Sequence, residues 1–201
     1  MLDAIDKVPR YIACSRVTKR PIFDFVSKAI HPGDALQVFA LPDDYSFGIL
    51  QSELHWLWFT ERCSTMKSDP RYTSNSVFDT FPWPQEATID DIGRVASAAV
   101  ALRAMRRDLK KKHGLPLRDL YRAMEMPGDH PLKAAHSVLD QAVRATYGIG
   151  SEDDPLSVLL DLNFRLAEAE EDENGKPVQG PGLPSHVTDP VSMQTTDCIS
   201  V

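Results

Sequence analysis

At 201 residues, 42% hydrophobic and 25% charged, the chain has the length of one domain or two small ones and an ordinary globular composition. No apolar run reaches the ~18 residues that cross a bilayer, the opening MLDAIDKVPR lacks the pattern of a signal peptide, and Cys14, Cys63 and Cys198 form neither a CxxC pair nor a metal pattern, so a reduced, cytoplasmic setting without membrane fits. The net charge of −7 is segregated: residues 1–84 carry −1, residues 85–150 carry +3 and residues 151–201 carry −9, so an acidic tail does not exclude nucleic acid elsewhere.

Arg10 to Val17 (RYIACSRV) and Arg20 to Ser27 (RPIFDFVS) are rich in β-branched and aromatic residues, with Thr18-Lys19 between them. This predicts a two-stranded hairpin, although Thr-Lys is a weak turn dipeptide. Ala35 to Leu41 predicts a third strand, closed by Pro42. Asp43 or Asp44 is placed to cap a helix from Tyr45 to about Ser64, in which Phe47, Leu50, Leu54 and Leu57 recur three or four apart. A basic, hydroxyl-rich loop follows (Lys67, Ser68, Arg71, Tyr72, Thr73, Ser74, Asn75, Ser76), then a fourth strand from Ser76 to Phe81, ended by Pro82.

After Pro84 the periodicity becomes helical. Thr88 to Asp91 reads as a T-x-x-D cap for a helix running to His113 and stopped by Gly114. Shorter helices are predicted from Pro116 to Met126, from an Asp129 cap to Tyr147, and from Pro155 onward. From about Glu170 the chain is acidic, then rich in Pro and Gly, as a flexible segment is. The predicted class is α+β: a small mixed β subdomain with one helix (1–84), an α-helical subdomain (85–169) and a disordered acidic tail (170–201).

Several chemistries lack their residues. A glycine-rich cofactor turn must follow a strand, but Gly148-Ile149-Gly150 follows a helix and Gly180-Pro181-Gly182 lies in the tail. Base-flipping adenine methylation uses an Asn/Asp-Pro-Pro-aromatic loop, and the chain contains no Pro-Pro. No Glu precedes a Lys by two positions, as in a metal nuclease, and no Walker-type loop occurs. The six histidines are scattered; His55 and Cys63 stand just over two helical turns apart, too far for a nucleophile pair.

Two clusters have the side chains that hold phosphate and read base edges. One is the predicted hairpin tip, with Arg16, Lys19 and Arg20 beside Tyr11 and Ser15; its other reading is a solvated turn. The second is the loop carrying Lys67, Ser68, Arg71 and Tyr72, which also reads as an ordinary surface loop. The basic run Arg103 to Lys112 sits at a helix C-terminus, where cations favour the helix dipole; phosphate contact is its secondary reading. Trp56, Trp58 and Trp83 alternate with other apolar residues, which favours core packing over base stacking.

RYIACSRVTKRPIFDFV, YSFGILQSELHWLW, MKSDPRYTSNSVFDTFPWP and the helical LRDLYRAMEMPGDHPLKAAHSVLDQAVRATYG occur in an order that resembles the C-terminal part of large class I adenine-specific DNA methyltransferases of the type IIG/IIL restriction–modification kind. The resemblance extends from about Arg10 to Leu183. It implies the end of a target-recognition domain plus the C-terminal helices, double-stranded DNA as partner, and Arg16, Lys19, Arg20, Lys67, Ser68, Arg71 and Tyr72 as contacts. S-adenosylmethionine is implied for the full-length family protein, bound by a catalytic half that this chain does not match. Met1 just before the resemblance begins points to a truncated gene product or a split subunit, with a separate methyltransferase polypeptide as partner. The alternative function is a non-catalytic protein-interaction module or a non-functional gene remnant.

Overall fold

The computed structural model describes residues 2–66, 69–171 and 178–200. Its centre is a three-stranded antiparallel sheet in the order β2–β1–β3, made of β1 (Arg10–Ser15), β2 (Asp24–Ser27) and β3 (Leu36–Phe39). β1 is buried at its first five positions because both faces of the sheet are covered. Ile12, Cys14, Phe25 and Phe39 enter the main core, while Tyr11, Ala13, Val26 and Val38 pack with Ile5 of a short helix α1 (Leu2–Ile5).

β1 and β2 pair as expected, from Arg10↔Ser27 to Ala13↔Asp24, but residues 16–23 join them rather than a turn at Thr18-Lys19. The chain past Ser15 leaves β2 for other partners: Arg16 N–H donates to Ala35 O at 2.8 Å, and Thr18 N–H to Pro70 O at 3.1 Å. Pro21 has no N–H to offer a longer ladder.

The helix predicted from Tyr45 to Ser64 is two helices, α2 (Asp44–Gln51) and α3 (Glu53–Arg62). Ser52 divides them. Its backbone is extended (ψ 162), and its hydroxyl donates to Ile49 O at 2.7 Å while accepting from His55 N–H at 3.4 Å, serving both ends. Asp43 caps α2 through Ser46. Beyond α3 comes a small hairpin, β4 (Ser64–Met66) and β5 (Asp69–Arg71). The fourth strand expected from Ser76 to Phe81 is replaced at its start by a π-helical turn, Ser74–Phe78. Hydroxyls hold that backbone locally: Thr80 Oγ1 donates to Ser76 O, and the Thr73 and Ser76 hydroxyls lie 2.5 Å apart.

The helical part follows the sequence closely. α4 (Ile89–His113) has the Thr88/Asp91 capping box and ends at Gly114 with φ 65; α5 (Leu117–Glu125), α6 (Pro131–Thr146) and α7 (Pro155–Glu171) follow. His130, not Asp129, caps α6, its ring Nδ1 accepting from Leu132 N–H at 3.2 Å. α4 packs against α2 and α6. At Gly48 a Cβ would lie 2.6 Å from Val95 Cγ1, so the α2–α4 approach requires glycine. One core runs from the sheet through Trp58, Phe81 and Trp83 into Ile92, Val95, Leu139 and Val143, with Trp58 and Trp83 buried in it.

The architecture is α+β. Its end differs from the flexible tail expected after residue 169. α7 reaches Glu171, and residues 193–199 lie against the body: Asp44 N–H donates to Met193 O at 2.8 Å, Ile199 N–H to Phe25 O at 2.8 Å, and Ser27 N–H to Ile199 O at 2.9 Å. Composition favoured disorder, but Asp197 finds three arginines.

Candidate nucleic-acid interface

The two basic segments, about fifty positions apart in sequence, are hydrogen-bonded side by side. Val17 and Arg71 form an antiparallel bridge, Tyr72 N–H donates to Arg16 O at 2.8 Å, and Thr18 N–H donates to Pro70 O at 3.1 Å. Residues 16–18 thus extend the β4–β5 hairpin by one more strand-like crossing. Lys67 and Ser68 lie outside the described residues, between β4 and β5.

The remaining predicted residues divide by burial. Lys19 is exposed. Arg16 is half-buried, with one guanidinium nitrogen donating to Leu36 O at 3.3 Å. Neither is ion-paired to a carboxylate among the described residues. Arg71 is half-buried beside Val17. These three share one edge with Ser74, whose hydroxyl accepts from Gln37 Nε2 at 2.9 Å, and with the exposed Asn75.

Two residues are placed differently from the sequence reading. Tyr72 is 0% exposed and so has no surface to offer a ligand: its ring stacks on Phe59 at 5.7 Å and its hydroxyl meets His55 Nε2 at 3.0 Å. Flanked by Arg71 and Thr73 in a hydroxyl-rich loop, it reads as surface, but just past β5 its side chain packs into the core on His55 and Phe59 of α3. Arg20 turns toward α3 and α5, its guanidinium 4.4 Å from the Trp56 ring centre and 3.9 Å from Glu125. Burial holds His55 neutral, pushing it down to about 3, and raises Tyr72 well above its ordinary value. The base of the loop is therefore uncharged and dry, which fixes the loop from beneath.

A second polar cluster was not legible in the sequence. Arg10, Asp44, Arg103, Thr195 and Asp197 meet where the sheet, α2, α4 and the returning segment join. Asp44 Oδ1 accepts from Arg10 Nη2 at 2.8 Å and Arg103 Nη2 at 2.5 Å, and Asp44 Oδ2 accepts from Thr195 N–H at 2.8 Å. Both guanidiniums also lie against Phe25. Its members stand up to 187 positions apart, beyond any local signal; the one hint was the Asp43-Asp44 pair, of which only one can cap. Among the described residues no group of three His, Cys, Asp or Glu side chains is arranged to hold a metal, and no helix is long and apolar enough to cross a membrane.

A small antiparallel sheet, a paired basic edge and a packed helical flank together make an α+β module. Residues 12–85 match the family model described as MmeI, target recognition domain. DNA methyltransferase A of Bacillus subtilis (strain 168) is 32% identical over 127 residues, covering 62% of this chain and 14% of that relative. The solved structure of the type IIL restriction-modification enzyme MmeI in complex with DNA has the same fold with a TM-score of 0.66 at 24% identity, over 79% of this chain and 21% of MmeI. The chain thus spans a minor share of each relative's length. The resemblance read from the ordered sequence strings is borne out.

Proposed function

We propose that the chain recognises a DNA target as the C-terminal part of a site-specific adenine-N6 DNA methyltransferase of the type IIG/IIL restriction–modification kind. In this reading the methyl donor, S-adenosylmethionine, is bound by a catalytic core outside these 201 residues. The observation that carries the reading is the pairing of residues 16–18 with 70–72, which joins two basic segments into one edge within the stretch that matches the recognition-domain family. Arg16, Lys19 and Arg71, with Lys67 and Ser68 of the β4–β5 connection, are the proposed contacts. Tyr72 and Arg20 act on that edge from behind, by packing.

Cations that neutralise backbone phosphates release counterions, so affinity for a duplex falls with salt by a log–log slope of about 0.9 per phosphate contacted. Titrating the chain with fluorescent duplex across a salt series tests this. The expected result is a steep slope that drops by about one, the share of Lys19, in the Arg16→Ala/Lys19→Ala double variant, with a further loss of affinity from Arg16. Binding that ignores salt, or a double variant identical to wild type, rejects the assignment.

A further inference from the structure

We infer that the arginine clamp on α4 is a phosphate-binding site, filled in this structure by the Asp197 carboxylate as an internal substitute. The inference rests on the DNA reading for its physiological ligand, a backbone phosphate, but not for its chemistry. Arg103 grips Asp197 as a fork, Nε to Oδ2 at 2.9 Å and Nη2 to Oδ1 at 3.2 Å. Arg107 Nη1 reaches Oδ2 at 2.5 Å, and Arg10 Nη1 reaches Oδ1 at 3.3 Å. A phosphate presents the same pair of oxygens to a planar guanidinium, and a third beyond it.

The charges favour the exchange. Three guanidiniums face two carboxylates and leave one positive charge, so a diester phosphate, monoanionic like the Asp197 carboxylate, exchanges for it without loss of charge balance, and the inorganic dianion neutralises the surplus. Asp44 is the fixed member, its side chain 3% exposed, whereas Asp197 lies at the rim with 24% exposure. Beside it opens a cavity of about 470 Å³ lined by Arg103, Arg106, Arg107 and Lys110 against Asp24, with residues 196–200 as its movable wall. Beyond Asp197 and Thr195 that wall is held by the backbone bonds of Met193 and Ile199, the latter at the edge of β2, and by Met193 and Cys198 packing on the core. Lifting it gives up the two-bond strand contact of Ile199, the Thr195 bonds to Asp44 and the Cys198 packing, and exchanges one anion for another on the same arginines.

The test uses the full chain, wild type and Asp197→Asn, with two probes: inorganic phosphate and a duplex. Phosphate at millimolar concentration is expected to raise the thermal midpoint of Asp197→Asn, against chloride of equal ionic strength, and to leave wild type nearly unmoved. Duplex affinity of Asp197→Asn is expected to show a salt slope steeper by about one, a gain removed by adding Arg107→Ala and Lys110→Ala. Should Asp197→Asn fail to fold, wild type supplies the readout: hydrogen exchange at the Ser27 and Ile199 amides accelerates on adding duplex. No midpoint shift and unchanged exchange at both amides overturn the clamp. If duplex binding sensitive to Arg16 and Lys19 persists while the clamp measurements are null, only this inference fails. If phosphate stabilises Asp197→Asn but no duplex binds, the clamp stands and the DNA reading falls.

Discussion

The basic edge and the junction with the C-terminal segment are both held by buried polar groups, yet in opposite ways. Beneath the edge, His55 and Tyr72 share one neutral hydrogen bond inside a box of Phe23, Phe39, Phe59 and Phe81. At the junction, Arg10, Arg103 and Arg107 are held by Asp44 and Asp197, with rings on one side and solvent on the other. A neutral pair has little desolvation to recover and is indifferent to salt. An ionic cluster is stable only while every member is present, because removing one leaves its partners buried and uncompensated. The basic edge therefore stands on a base that binding conditions do not disturb, while the returning segment is tied down by contacts that other anions can replace.

The largest test of that contrast is Asp44→Ala. It strips two arginines of their shared partner and is expected to lower unfolding stability by about 3–5 kcal/mol in urea titration, with Asp44→Asn milder. A loss below about 1 kcal/mol would show that the cluster is ornamental to the fold. Tyr72→Phe comes next. It orphans His55 Nε2 in a dry core and should cost about 1–3 kcal/mol. That cost should be the same at low and high salt, whereas the Asp44 effect should change with ionic strength.

Acid separates the two regions further. Burial holds both His55 and His136 down at about 3, against an ordinary 6.5. His136 sits under the Tyr121 hydroxyl at 2.8 Å, near Arg106. Both folded-state values lie below the unfolded one, so the unfolded chain binds protons that the folded chain refuses. The stability these two histidines contribute is then complete above pH 6.5 and is lost as pH falls toward 3, by up to about 1.4 kcal/mol per pH unit for each histidine. His136→Gln, which keeps a partner for Tyr121, should flatten the acid limb by about half; an unchanged limb would mean that other groups govern it.

The helices were legible because their signals are local. The Thr88-to-Asp91 cap, Gly114 and Pro155 each fix a terminus within a few residues, and α4 and α7 start where those residues place them. What escaped depended on distance. Nothing near Ser52 says that its hydroxyl will serve two helices, and nothing near Ser76 says that hydroxyls will hold a π-turn in place of a strand. Tyr72 looked exposed because its neighbours are polar, but its burial is decided by α3 passing beneath. Asp197 reads as part of a flexible segment because the stretch before it is acidic and rich in Pro and Gly, while the arginines that hold it lie about 90 and 187 positions away. At the candidate site the basic residues were readable, and their adjacency was not.

The smallest expected effect on stability is also the most informative about function. Lys19 is exposed and outside both polar clusters, so Lys19→Ala should move the unfolding midpoint by no more than about 0.5 kcal/mol. If Lys19 holds a phosphate, the same variant should reduce the salt slope of duplex binding by about one and weaken all sequences alike. Arg16, anchored to Leu36 O beside the paired strands, is better placed to read a base edge, so Arg16→Ala should weaken a cognate duplex more than a scrambled one. Equal losses on both duplexes would assign Arg16 to the backbone as well, and would move base reading along the edge to Arg71 and Asn75.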